Sequence, residues 1–401
     1  MKEDSLIEIK EDCNGCGACI SFCSHRAISM IKDDEGFHYP HIDEKKCVDC
    51  HLCENKCPQK NPCSPCNSSL AAYGLTINND AILSSSTSGG AFYAICKTFY
   101  DQYPSGIVYG CVLVVGDDHT FVAKHIRANS LKECQQFRGS KYIQSIFWPI
   151  YYDLETDLKK GYQVMCVGTP CQIAGVSRRF AKQYSDQLLL IDILCHSVPS
   201  PLMFNEHIGC LEKKAKKSIV DYSFRPKTKG WGHYEEAYDQ NHMIVLKGKR
   251  ITQRHKELFY AELISRPSCS QCKYAGLKGI ADFTIGDFWG IKDIAPKFRN
   301  RMGVSLVIVH NNRAARYIPL LKDICDIIPV DPVKSFSFNH ILPKPMNINR
   351  DLFWGTYRSR GFDVASKHFL DSNIVWVLKG IIRNLIPDQK REKLKRILNV
   401  K

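Results

Sequence analysis

The 401-residue sequence predicts a chain of α+β / α/β class: a small cysteine-ligated module, then a mixed α/β domain with a partly parallel sheet, then a helical, basic C-terminal region. Two observations predict it. Ten of the twenty cysteines fall within the first 66 residues, at short regular spacings. From residue 70 to about 330, strand-like and helix-like stretches alternate, the pattern of a mixed α/β domain.

The strand candidates are IVYGCVLVV (107–115), QVMCVG (163–168), LLLIDIL (188–194), DFTIGDF (282–288) and VSLVIVH (304–310). GGAFYAICKTFYD, CQIAGVSRRFAKQY and NRAARYIPLLKDI read as helices. NPCSPCNSS (61–69) is turn-rich and marks a boundary, and the chain turns irregular after Pro332 before becoming helical and basic. The expected units are 1–66, 70–330 and 331–401.

Composition narrows the function classes. Clustered cysteines favour metal ligation over a secreted disulfide scaffold. The N-terminal MKEDSLIEIKEDC has no apolar signal core, and IVWVLKGIIRNLI (374–386) is too short and basic to span a bilayer, so a cytoplasmic location is expected. The net charge is +14, from 55 Lys+Arg against 41 Asp+Glu. Basic-aromatic interleaving is absent, so nucleic acid is not an expected partner. The tail DQKREKLKRILNVK sets Leu394, Ile397 and Leu398 on one side of a basic helix. Peripheral membrane contact and packing on a neighbouring helix both remain open for it.

Cys13, Cys16, Cys19 and Cys23 form CxxCxxCxxxC, and Cys47, Cys50, Cys53 and Cys57 repeat it, followed by Pro58. Two such runs are the signature of a bacterial ferredoxin with two 4Fe-4S clusters, the fourth cysteine of each run serving the other cluster. One cluster is expected on Cys13, Cys16, Cys19 and Cys57, the other on Cys47, Cys50, Cys53 and Cys23. Zinc prefers two CxxC pairs and fits this spacing poorly. Ser24 replaces the proline that usually follows the first run. Cys63 and Cys66, in CSPC, read as unliganded surface thiols, a redox pair being the other reading.

Four later cysteines sit at turns. Cys171 follows a strand and opens a helix, with Thr169 as N-cap and Pro170 at the first helical position, where the helix dipole is expected to depress its pKa. Cys195 follows LLLIDIL directly, and Cys269 and Cys272 form a CxxC before DFTIGDF. If the loops converge, these four could hold a third cluster; four unrelated buried thiols is the other reading. Cys96, Cys111, Cys134, Cys166, Cys210 and Cys325 are expected in the core.

STSGGAF (86–92), FRGSKYIQS (137–145), VGTPCQIAG (167–175), LIDILCHSVPSP (190–201), CSQCKYAG (269–276) and FTIGDFWGI (283–291) occur in this order. Together they resemble the coenzyme F420 hydrogenase/dehydrogenase beta subunit family, preceded by a ferredoxin module. The resemblance spans residues 1 to about 310. It implies an FAD-containing iron-sulfur oxidoreductase that exchanges electrons with a deazaflavin, and a third cluster on Cys171, Cys195, Cys269 and Cys272. It also implies a redox partner protein or ferredoxin and a small-molecule hydride acceptor.

For the flavin, Ser88, Gly89 and Gly90 would present amides at a helix N-terminus to a pyrophosphate, with charge from Lys141 in its Ser140–Lys141–Tyr142 segment. Thr169 and Gln172 would hydrogen-bond the isoalloxazine. Asp287 and Trp289 would line its pocket or close the fold, and His196 would donate a proton or serve structurally. Ser197 stands where the family's CHGVPSP has glycine. Two rival functions stay open: a flavin-free electron carrier docking on an acidic partner, and a flavin-dependent reductase of a sugar or other small metabolite.

Overall fold

The computed structural model describes residues 10–63, 71–232, 234–246, 250–277, 279–339, 343 and 345–371. Cys66 and the basic segment 388–401 lie outside the described residues. The first strands, β1 (Ile28–Lys32) and β2 (His38–Ile42), form an antiparallel hairpin. The short helices Ala18–Phe22 and Leu52–Asn55 accompany them, one within each cysteine run.

Eight strands build the main sheet: β3 (Ala71–Ile77), β4 (Ile107–Val115), β5 (Phe121–Ala128), β6 (Val164–Gly168) and β7 (Leu188–Ile193) belong to it. A separate three-stranded antiparallel sheet follows, from β8 (Asp221–Ser223), β9 (Glu236–Tyr238) and β10 (Ile244–Val245). The main sheet is completed by β11 (Phe283–Asp287), β12 (Ser305–Val309) and β13 (Cys325–Val330). Its order is β13-β3-β12-β11-β7-β6-β4-β5. The central run β11-β7-β6-β4 is parallel, and every pairing outside it is antiparallel. The five strands expected from the sequence are all present, within one residue at each end.

Burial on both faces explains why those strands read as unbroken apolar runs. Met165, Val167, Leu189 and Ile191 face one core with the helix Ala91–Gln102. Val164, Cys166, Leu188 and Leu190 alternate to the other face, against the helix Ile150–Lys159 and Ile173. Cys96, Cys134, Cys166 and Cys325 are buried as expected, whereas Cys111 and Cys210 are half-buried.

Contacts along its length fasten the N-terminal module, three of them at its core. Cys16 and Ala18 enter the core beside Tyr151 and Ile173. Gly17 lies so close to Trp148 that a Cβ there would sit 2.4 Å from the Trp148 Cβ. The buried Glu35 carboxylate is paired by Arg350, whose Nη1 donates to Oε1 at 2.8 Å and whose Nη2 meets Oε2. Arg350 opens the helix Arg350–Asp371, broken at Gly361 (φ 77°), which packs Phe353, Trp354, Phe362 and Leu370 against Met203, Leu258 and Phe259. Among the described residues no helix is long and apolar enough to cross a membrane.

Candidate functional site

The carboxyl ends of the parallel strands form one edge, where open α/β sheets bind ligands. β6 ends at Gly168, before Thr169 and Cys171; β7 ends at Ile193, before Cys195; β11 ends at Asp287. Two cavities open there.

The smaller, about 40 Å³, is lined by all four of Cys171, Cys195, Cys269 and Cys272. The loops that the sequence left separate do converge. Asn14 and Gln59 of the N-terminal module share this lining. Burial pushes the thiols of Cys171 and Cys269 up, to about 11 and about 12, and raises that of Cys195 well above its ordinary value, with the neighbouring thiols adding to the effect. This corrects the depressed value expected for Cys171 from the helix dipole. The helix Pro170–Val176 continues into the π-helical turn Ser177–Ala181, and burial beside the other thiols outweighs its dipole and the Thr169 hydroxyl 3.3 Å away. Such thiols are stable as thiolates when a cation replaces the proton.

In the N-terminal module, Cys16 and Cys19 are raised first by burial and then by nearby thiols: Cys57, Cys19 and Cys171 act on Cys16, and Cys13, Cys57 and Cys53 on Cys19. Cys13 feels Cys57 as well. Cys13, Cys16, Cys19 and Cys57 thus gather across the two runs, and Cys53 neighbours Cys23. Cys47 and Cys50 are exposed. Cys63, half-buried, points its thiol at the Ala174 carbonyl 3.6 Å away. No group of three or more His, Cys, Asp or Glu among the described residues is drawn around a point for a single ion. A cubane instead distributes its ligands over four irons.

The larger cavity, about 570 Å³, is within the range that takes a cofactor-sized molecule. Ser88, Gly90, Ser140, Lys141, Tyr142, Thr169, Gln172, His196, Asp287 and Trp289 all line it. Gly89 does not. A Cβ on Gly89 would stand 2.0 Å from the Leu75 carbonyl oxygen and 2.5 Å from the Ser305 nitrogen, so glycine there serves the close approach of β3 and β12. Gly90 (φ 90°) caps the helix Ala91–Gln102, whose first residues Ala91, Phe92 and Tyr93 face the cavity. The Ala91 amide donates to Ser305 Oγ at 3.4 Å, and the amides that follow it at such an end suit a phosphate.

Several expected side chains are already engaged. The Lys141 ammonium donates to the carbonyls of Gln136, Phe137 and Arg138 at 3.3, 2.9 and 2.9 Å, and burial lowers its pKa to about 8. Gln172 Oε1 accepts from the Thr169 amide at 3.0 Å while its Nε2 donates to Ser145 at 2.9 Å, so its amide closes the helix cap. Asp287 accepts from both terminal nitrogens of Arg225, at 2.7 and 3.2 Å, and from Trp231 Nε1 at 2.7 Å. Trp289 stacks on Trp231 with ring centroids 4.6 Å apart, beneath the Arg225 guanidinium. Both therefore build one wall of the cavity as well as lining it. His196 pairs with Glu262 at 2.6 Å.

Residues 193–198 line both cavities, which makes this single turn their common wall. It brings both Cys195 and His196 to each cavity.

The sequence reading missed residues here. His125 Nε2 bonds the Val167 carbonyl at 3.0 Å, and burial lowers its pKa to about 3, so the ring is neutral and Nε2 holds its proton. Its Nδ1 is then a buried acceptor without a partner at the cavity. Asn339 likewise brings an unpaired amide oxygen and nitrogen. His125 is embedded in β5 with no local motif, and Asn339 follows the helix Pro332–Ser337, beyond the recognised segment. Arg138, inside the quoted FRGSKYIQS, offers a guanidinium at the cavity, bonded to Ser85 Oγ at 2.6 Å. Unpaired buried polar atoms at a cavity of this size are open to a ligand's hydrogen bonds.

Comparison with known proteins agrees with the resemblance. Residues 161–326 match the family described as the C terminus of the coenzyme F420 hydrogenase/dehydrogenase beta subunit, and residues 12–61 match the 4Fe-4S dicluster domain. A chain of the F420-reducing [NiFe] hydrogenase complex from Methanosarcina barkeri, solved as a xenon derivative, aligns at 15% identity. The alignment covers 76% of this chain and 92% of that one, with a TM-score of 0.45. No curated protein matches. Both matches fall within one chain, the dicluster match preceding the beta-subunit match.

Proposed function

We propose that the chain is an iron-sulfur flavoprotein oxidoreductase. It passes electrons between ferredoxin-type 4Fe-4S clusters and FAD, for hydride transfer to or from a deazaflavin such as coenzyme F420 or another small acceptor. The observation that carries this is the shared wall at residues 193–198: four cysteines from three loops line one side of it, and residues from five separated motifs line the other. When bound, the clusters supply one-electron transfer and the flavin supplies its conversion to hydride chemistry.

Each residue then has a task. Cys13, Cys16, Cys19 and Cys57 hold one cluster of the N-terminal module, and Cys23, Cys47, Cys50 and Cys53 the other. Cys171, Cys195, Cys269 and Cys272 hold the third. Ser88, Gly90 and the first amides of the helix Ala91–Gln102 receive the pyrophosphate, with charge from Arg138 and Lys141. His125 Nδ1 accepts, and Asn339 accepts and donates, at the edges of the ring system. Thr169 and Gln172 fix the turn bearing Cys171, and the Arg225–Asp287 pair holds Trp289 in the wall. His196, kept in place by Glu262, is positioned to hold or release a proton at Nε2. We extend the proposal to the division into units 1–66, 70–330 and 331–401, and to a redox partner protein or ferredoxin that meets the exposed Cys47–Cys50 loop.

Anaerobic purification followed by iron, sulfide and flavin determination tests this reading. About twelve irons, from three clusters of the cubane type, and one FAD per chain support it. About eight irons without flavin favour the carrier. Hydride exchange with a deazaflavin, followed optically, separates that acceptor from a sugar or other metabolite.

A further inference from the structure

Arg266 is fully buried, with 0% of its surface exposed, yet its polar partners are neutral. Nε donates to the Cys13 carbonyl at 2.8 Å, Nη1 to Gln144 Oε1 at 2.8 Å and Nη2 to the His38 carbonyl at 3.0 Å. The guanidinium lies over the Tyr39 ring, 4.2 Å from its centroid. Among the described residues no carboxylate comes within ion-pair distance of it. A buried cation without a counter-charge is costly, and chains keep one where an anion compensates it.

The anions available are sulfur. Arg266 acts electrostatically on Cys13 in the N-terminal module and on Cys171 and Cys269 at the small cavity. Its backbone is built into the same loop: its amide donates to the Val198 carbonyl at 2.9 Å, and its carbonyl accepts from the Cys269 amide at 3.0 Å. The CysAsnGlyCys turn makes room for the side chain. Gly15 (φ 70°) carries no Cβ, and one built there would stand 3.0 Å from Arg266 Nη1 and 2.6 Å from Gln144 Nε2.

From this geometry we infer that Arg266 is the shared counter-charge of two clusters, the one on Cys13, Cys16, Cys19 and Cys57 and the one on Cys171, Cys195, Cys269 and Cys272, and that it holds both reduction potentials up. The inference rests on the cluster assignment proposed above. A reduced cluster carries one more negative charge than an oxidised one, so a fixed cation nearby stabilises the reduced state, net charge being one of the levers on cluster potential. With both clusters bound, the transfer between them would be of one electron, with no proton moved and no bond changed. The same charge acting on both clusters keeps their potentials close, which suits transfer in either direction. None of Cys23, Cys47, Cys50 and Cys53 bonds the Arg266 side chain, and Arg266 is not among the groups acting on Cys53, so their cluster serves as internal reference.

The test is a redox titration of the anaerobic full-length protein followed by electron paramagnetic resonance, on wild type, Arg266→Gln and Gln144→Glu. Gln144→Glu is close to isosteric and places a carboxylate where the guanidinium already bonds, neutralising it without removing it. In both variants the reduced-to-oxidised ratio of the two clusters at fixed applied potential is expected to fall about tenfold, about 59 mV for a one-electron couple, with the reference cluster nearly unmoved. Arg266→Lys keeps the charge without the fork and is expected to retain most of the wild-type potential. Midpoints unchanged in Gln144→Glu, or lowered equally in Arg266→Lys and Arg266→Gln, overturn the inference and leave Arg266 a structural staple. The resonance reads assembled clusters alone, so partial loss of folding lowers amplitude without shifting a midpoint. Should Arg266→Gln not fold, Gln144→Glu decides. A wild-type protein with about eight irons would refute the third cluster itself, an outcome separate from unshifted midpoints.

Discussion

Removing Arg350 is expected to loosen the N-terminal module from the rest of the chain. Its guanidinium meets both oxygens of Glu35 and also donates to the Ser265 carbonyl at 3.3 Å. The pair is 5% and 7% exposed at the side chains, so solvent screens it little. Arg350→Met therefore leaves a buried carboxylate alone, a change that costs about 3–5 kcal/mol. At 1.4 kcal/mol per tenfold, amide protection in β1 and β2 falls by roughly two to three and a half orders of magnitude where detachment limits exchange. Hydrogen–deuterium exchange on the anaerobic protein reads this strand by strand. Glu35→Gln combined with Arg350→Met removes both charges and recovers most of the loss, because the penalty belongs to the unpaired charge. A loss below tenfold in Arg350→Met, or a double variant no better than the single one, would refute the reasoning.

Replacing His125 with Leu removes an acceptor without touching a cysteine, so flavin affinity falls about threefold to tenfold at unchanged iron content; equal flavin retention contradicts this. Lys141 has its folded-state pKa lowered to about 8 from 10.5, so between these values the unfolded chain binds more protons and stability rises with pH. Lys141→Met lacks that rise, which denaturant midpoints between pH 8 and 10 would show; parallel slopes would contradict it. Gly89→Ala places a Cβ against the backbone of both β3 and β12, so it destabilises the main sheet rather than the cofactor site. Its melting temperature drops, and an unchanged one, with flavin loss alone, would reverse that assignment.

Much of this was legible in the residues because the signals were local. The apolar runs of β4, β6, β7, β11 and β12 announce strands buried on both faces, and the cysteine runs announce their chemistry through spacing alone. Two of the missed strands had weaker local patterns: β5 interleaves Lys124, His125 and Arg127, and β13 is an edge strand containing Pro329, which an edge tolerates. Cavity residues were legible where a motif carried them. Their roles were not, because the partners that occupy Lys141, Gln172 and Asp287 come from chain packing. Arg225 lies 62 residues before Asp287, and no spacing links them. His125 and Asn339 became visible through what they lack, a partner, and a sequence does not record that. The raised Cys171 thiol has the same origin: burial is a tertiary property, and it outweighed the helix end that the sequence did show.

Cys171→Ala tests the central claim most directly. In anaerobic rapid mixing with a low-potential electron donor, wild type is expected to reduce its flavin. The variant is expected to keep its N-terminal clusters, lose about four of its irons and leave the flavin oxidised. Flavin reduction at the wild-type rate with a full complement of iron would contradict the account.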